Sequence, residues 1–132
     1  MTNTDLIQIA LQLIGVIPEG KTPDADEAAV ALTVCNEIAD DWAENGVSIN
    51  WSEQTSTTAD CTLQGAEKSA MQYELAMRLC PIYGRDPSQS LGMLAGSSYR
   101  RILRSSILLS MEPIEASMPQ SEGFKGFIDI TQ

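Results

Sequence analysis

An all-α fold is predicted, a compact bundle of about four helices, and three observations predict it. Apolar residues recur at steps of three and four in four separate stretches, and cap and stop residues bound those stretches. The one strand-like alternation, Val47, Ile49 and Trp51, is short and isolated. With 132 residues, 43% of them hydrophobic, the chain has room for a real core in one domain and no room for a second full one.

Residues 4–15 read as a short first helix. Leu6, Ile9, Ala10, Leu13 and Ile14 share a face, Asn3 or Thr4 is placed to cap it, and Gly15 to stop it. The Pro/Gly turn at 16–21 is of a length that joins antiparallel neighbours. The clearest helix of the chain follows over 22–46, and it reads as the scaffold of the domain. Thr22 is placed as N-cap and Pro23 at the first helical position, while Asp24, Asp26 and Glu27 set negative charge at the positive end of the macrodipole. Its apolar stripe is Ala28, Leu32, Cys35, Ile38, Ala39 and Trp42, and Gly46 ends it. Opposite lie Glu37, Asp40, Asp41 and Glu44. Acids near the negative end of a helix cost stability, so these are expected to face water or a basic partner.

Beyond Gly46 the chain turns rich in Ser and Thr, and residues 47–62 read as an irregular or short hairpin-like excursion, mobile over 52–60. Trp51 either folds back over the core or serves as an interface contact. A third helix is expected over 63–84, with Ala66, Ala70, Tyr73, Ala76, Met77 and Cys80 inward and Pro81 bending or ending it. Asp86, Pro87 and Gln89 supply the cap, first position and capping-box residue of a fourth. Its apolar side is Leu91, Leu94, Ala95, Ser98, Tyr99 and Ile102; Gly92 and Gly96 either allow a close helix approach or are merely tolerated. Arg100, Arg101 and Arg104 end this helix, where cations complement the macrodipole, and they also offer a contact for acidic side chains or DNA.

From Ile107 onward two prolines and two glycines break the period, so the chain divides into a helical domain, 1–106, and an extended C-terminal arm, 107–132. The arm carries Ile107, Leu108, Leu109, Met111, Ile114, Met118, Phe124, Phe127, Ile128 and Ile130. Residues of this kind favour burial, against the domain itself or on a neighbouring subunit.

Charge and composition narrow the function classes. A net charge of -10 disfavours a free-standing nucleic-acid binder. The signs are segregated: up to Asp60 the only base is Lys21, whereas six bases outnumber three acids between Cys61 and Ser110. Opposite halves of this kind pair within one chain or between identical subunits in a ring. No histidine and no Gly-rich phosphate loop occur, which excludes Ser-His-Asp and Cys-His catalysis and most zinc sites. The only carboxylate pairs at helical spacing look like solvated surface, so neither catalysis nor a cofactor is expected. The cysteines, Cys35, Cys61 and Cys80, lack metal-ligand spacing and are expected to be reduced. No apolar run approaches a membrane span, and the opening residues lack the basic start of a secretory leader, so the cytosol is the expected compartment of synthesis.

Three groups of residues, in order along about 4–106, carry a resemblance. Leu6, Ile7, Ala10, Leu11, Ile14 and Gly15 form the first; Asn36, Ile38, Trp42 and Gly46 the second; Leu75, Ala76, Leu79, Pro81, Tyr83 and Gly84 the third. Together they resemble the head-to-tail adaptors of tailed bacteriophages, the podovirus tail accessory factors in particular. The resemblance implies a protein that is monomeric when free and assembles under the portal as a ring of about a dozen copies, a dodecamer. The ring would close the DNA exit, let genomic DNA pass without sequence-specific binding, and present a platform for tail nozzle or tube proteins. It implies host cytoplasm during assembly and the head-tail junction of the virion afterwards, with no membrane. The C-terminal arm is the expected portal-binding element, and Glu37, Asp40, Asp41 and Glu44 are expected to meet Arg100, Arg101 and Arg104 across subunits. The alternative from the residues alone is a DNA-packaging accessory protein that uses the arginine cluster.

Overall fold

Three of the four helices begin where a side chain takes up loose backbone donors, and the third begins at Gly65 with no side-chain cap. The structure, a computed structural model, describes residues 1–117 and holds four helices: α1 (Asn3–Leu13), α2 (Ala25–Glu44), α3 (Ala66–Ile82) and α4 (Gln89–Ser117). Thr2, rather than Asn3 or Thr4, caps α1: its hydroxyl accepts from Asp5 N at 3.2 Å, and the Asp5 carboxylate accepts from Thr2 N at 2.9 Å. Asp24 displaces Thr22 as cap of α2 for the same reason. It accepts from Glu27 N at 2.9 Å while Glu27 reaches back to Asp24 N at 3.1 Å, whereas Thr22 has only Ala25 three residues on. Ser88, not Asp86, caps α4 by accepting from Leu91 N at 3.0 Å.

Pro81 falls in the last turn of α3, which ends one residue later; Gly84, at φ +66°, takes the left-handed conformation that turns the chain away. The close of α4 differs from expectation. The helix runs through Pro113 to Ser117, so the opening of the expected extended arm, 107–117, is helical. Ile107, Leu108, Leu109, Met111, Glu112 and Ala116 belong to a stretch dominated by good helix formers, and their summed propensity outweighs the backbone bond lost at one proline. Met118, Phe124, Phe127, Ile128 and Ile130 lie outside the described residues.

The centre of the bundle is α3, not α2. It packs against α1, α2 and α4, and α4 approaches α3 alone along its backbone. Contact on several sides requires a wide apolar surface, and Ala70, Met71, Leu75, Ala76, Leu79 and Cys80 provide it, all buried, with Tyr73 and Met77 half-buried. From α2 come Ala28, Leu32, Cys35, Ile38 and Trp42 as expected, joined by Ala31 and Val34; Ala39 is half-buried. On α1 the inward face is rotated: Leu6, Ile7, Ala10 and Leu11 are buried, Ile9 and Ile14 half-buried, and Leu13 exposed. On α4, Leu91, Ala95, Ser98 and Ile102 are buried while Leu94 faces out. Gly92 is not a point of close approach, since a Cβ there would meet nothing within 4 Å, and one on Gly96 would meet only Arg100. Trp42 and Tyr99 tie α2 to α4 through tilted rings 5.8 Å apart.

Two predictions follow from this packing and capping. Leu75→Ala, which empties a fully enclosed site facing the helices around α3, is expected to cost about 2–5 kcal/mol in denaturant unfolding, against about 0.5 kcal/mol or less for Met93→Ala on the surface. The backbone bond from Thr2 holds the Asp5 carboxyl below its ordinary value. A depressed folded pKa gives stability that is present above the unfolded pKa of about 3.9 and lost as pH falls through the folded one. Protection of the α1 amides against hydrogen exchange, taken relative to the intrinsic rate at each pH, should therefore fall on acidification below about pH 4, and Asp5→Asn should remove that acid-dependent part; an unchanged acid profile would exclude the capping carboxylate as its source.

Candidate functional site

One polar residue of α2 organises the surface beside it. Asn36 is half-buried, and its amide oxygen accepts from Trp51 Nε1 at 2.9 Å and from Gln54 N at 3.0 Å while its amide nitrogen donates to Gln54 O at 3.0 Å. A second asparagine fixes the other side of the same loop. Asn3, fully buried, donates from its amide to Gln54 Oε1 at 3.1 Å and to Ser56 O at 3.0 Å. Backbone bonds run alongside: Asn3 N to Ala59 O, Thr4 N to Thr57 O and Cys61 N to Met1 O, each 2.9 Å. The segment expected to be a mobile excursion is thus pinned to α2 and to the start of α1. It forms no hairpin; its one β-type pairing is an isolated bridge between Asp60 and Thr2. Trp51 takes the first of its two expected places, packed partly buried against the core with its N–H satisfied by Asn36.

Between this loop and α2 lies an open groove of about 730 Å³. Ala25, Ala29, Leu32 and Thr33 line its length, and Glu37, Asp40 and Glu53 line it with charge toward the C-terminal half of α2. The expected acidic face therefore divides. Glu37 and Asp40 open onto the groove, exposed. Asp41 turns to α3 and pairs with Arg78 at 2.7 Å, an arginine that also holds Glu74 at 2.9 Å, so this acid is engaged inside its own chain. Burial disfavours charge on Arg78, but the bonds from Asp41 and Glu74 outweigh it and leave the guanidinium above its ordinary pKa. Glu44 is exposed in the last turn of α2.

Arg100, Arg101 and Arg104 are exposed on α4, and among the described residues Arg78 makes all the ion pairs there are. The helix-end account of these three fails, because α4 continues to Ser117 and the macrodipole acts only within the last turn. Ile107 and Leu108 are exposed just beyond them, and Leu109, Met111 and Ile114 fall within the helix. All three cysteines are free thiols. Burial, and secondarily the nearby Cys61, pushes the Cys35 thiol up to about 12, which makes it a packing residue rather than a nucleophile. Among the described residues no group of His, Cys, Asp and Glu is placed to hold a metal ion, and no helix is long and apolar enough to cross a membrane. What the arrangement offers is a surface: a grooved acidic side and a basic helix face.

The pinning role is what sequence reasoning missed, since Asn36 stood only among the residues that carry the resemblance and Asn3 only as a candidate cap. The signal available was slight, a polar side chain at the border of the apolar stripe of a long helix. Asn36→Ala leaves the Trp51 indole and the Gln54 amide without their acceptor and should cost about 1–3 kcal/mol in denaturant unfolding. Asn36→Asp keeps the acceptor but sets a carboxylate oxygen against Gln54 O, so it should also destabilise, and less at acid pH, where a protonated carboxyl can donate, than at neutral pH; a loss that does not change with pH would show that the donation to Gln54 O is not the part that matters.

No curated protein matches the chain. The model of one family, described as the P22 tail accessory factor, matches residues 1–128, nearly the whole length and well beyond the three residue groups that first carried the resemblance. The chain belongs to the P22 tail accessory factor family.

Proposed function

We propose that this chain is a structural head-to-tail adaptor of a tailed phage, which assembles as a ring of about a dozen copies under the portal, closes the DNA exit and carries the tail proteins. The observation that carries the reading is the family match over 1–128, which spans both the bundle and most of the C-terminal segment. Two features of the surface support it. The bundle carries an open groove lined with acids beside α2 and an exposed basic face on α4, surfaces on which a neighbour can sit. The long fourth helix carries exposed Ile107 and Leu108 toward the segment that would reach the portal. Partners in this reading are the portal, further copies of the chain and the tail nozzle or tube, with genomic DNA passing through without sequence-specific contact. The site of action is the head-tail junction of the virion, reached from the host cytoplasm.

Arg100, Arg101 and Arg104 of α4, which have no ion pair among the described residues, favour a second reading, a DNA-packaging accessory protein that binds duplex through them. The net charge of -10 weighs against it, since each phosphate contact would be made against the field of the whole chain. Sedimentation with purified portal separates the two. The adaptor reading expects a portal-dependent ring and no salt-dependent duplex binding by the chain alone; the reverse pattern would establish the accessory reading. Removal of residues 118–132 should leave helical circular dichroism and thermal stability close to wild type while abolishing portal binding, and a truncated chain that still sediments with portal would move the binding element into the bundle.

A further inference from the structure

The outer face of α4 is built from two kinds of residue in a definite order. Met93 and Leu94 stand exposed near its start, at 65% and 45% accessibility, and Ile107 and Leu108 at 49% and 59% further on. Between them lie Arg100, Arg101 and Arg104, also exposed. At 100° per residue all seven fall within about 140° of arc, and from first to last they span about 22 Å. The face opposite this stripe is the one packed on α3. An apolar-basic-apolar stripe that stands exposed among the described residues is unusual on a monomer's surface, where large apolar side chains are ordinarily scattered.

The groove beside α2 has the complementary character. Its lining runs along α2 from Ala25 to Asp40, about 22 Å at the same rise per residue. Apolar Ala25, Ala29 and Leu32 lie along one part and acidic Glu37, Asp40 and Glu53 along the other. Among the described residues none of these acids has an ion pair. The two faces match in length, in the sign of charge and in carrying apolar surface beside the charge.

We infer that the outer face of α4 in one copy docks in the α2 groove of the next, so that Arg100, Arg101 and Arg104 meet Glu37, Asp40 and Glu53 across a head-to-tail contact. The inference rests on the ring reading above and adds which surfaces join. It removes Asp41, which is held by Arg78, and brings in Glu53, a loop residue that stands in the groove because Asn36 fixes the adjoining Gln54. Because the two surfaces differ, the contact is heterologous and propagates from copy to copy, as a ring requires.

Charge exchange tests it. Two variants of the full chain are made, Arg101→Glu with Arg104→Glu, and Glu37→Arg with Asp40→Arg, all at exposed positions, and both are checked for wild-type circular dichroism. Each alone should need at least about tenfold more protein than wild type to fill the ring on purified portal, a tenfold loss being about 1.4 kcal/mol. An equimolar mixture should recover filling, because alternating copies place a wild-type pair at one junction and a reversed pair at the next. Variants that fill the ring as wild type does would overturn the interface and leave the adaptor reading intact, as would a mixture no better than its parts. Loss of salt-dependent duplex binding in the arginine variant, without rescue by mixing, would assign the arginines to DNA instead. Wild-type chain that does not assemble on portal would end the adaptor reading and this contact with it.

Discussion

The surface of this protein depends on the amide of Asn36. Residues 47–65 must carry the chain from the end of α2 to the start of α3, and a loop of that length with no regular structure pays about 1–2 kcal/mol per residue of backbone entropy when it is ordered. Three hydrogen bonds at about 1 kcal/mol each do not offset this. Apolar anchoring supplies the rest: Val47 and Leu63 are fully buried at the two ends, and Ile49, Trp51 and Cys61 pack against the core between them. Burial decides that the loop is held; Asn36 and Asn3 decide where. Without their directional bonds the polar run 52–60 could lie in many positions over the same apolar anchors, and the groove would have no fixed wall.

The same division between local signals and tertiary choice explains what could be read from the sequence. The stripe of α2 was legible because its apolar positions leave one face open to choice. On α1, Ile7 and Ile9 are both apolar, so periodicity admits two faces, and only the contacts with α2 and α3 select the one that buries Ile7 and Leu11. Caps shifted by one or two residues, to an acceptor with an acidic partner at Thr2 and Asp24 and to a hydroxyl alone at Ser88. The central place of α3 was hidden by its weak periodicity, itself a consequence of packing on several sides. The length of α4 was misjudged because a proline was weighed as a stop, although a run of strong helix formers around it carries the helix past.

That longer helix changes the meaning of the charges. Three arginines in a last turn need no partner, because the macrodipole accounts for them; the same arginines in mid-helix have lost that account. The acids changed in the opposite sense. Asp41 looked like part of a face kept for a neighbour and proves to be half of an ion pair with Arg78, while Glu37 and Asp40 keep their freedom and gain a groove. Segregated charge in the sequence shows in the pairing of Asp41 with Arg78, but which charges are engaged at home could be decided only by the fold.

A contact of exposed charges with modest apolar surface is weak by nature, since single surface ion pairs are worth about 0–1 kcal/mol and are screened by salt. If the chain forms the ring proposed above, weakness suits that task. A lateral contact strong enough to close a ring in free solution would assemble empty rings away from their target. One with a dissociation constant near 1 mM, about -4.1 kcal/mol, leaves the free chain monomeric at micromolar concentration. Once a first copy is fixed on a template, the effective concentration of a neighbouring site reaches the millimolar range, and the same contact becomes favourable. A heterologous contact propagates around the template and is completed only when the last copy meets the first, so template geometry rather than the chain sets the number of copies. Binding to the template and binding to the neighbour then support each other, and neither needs to be strong alone.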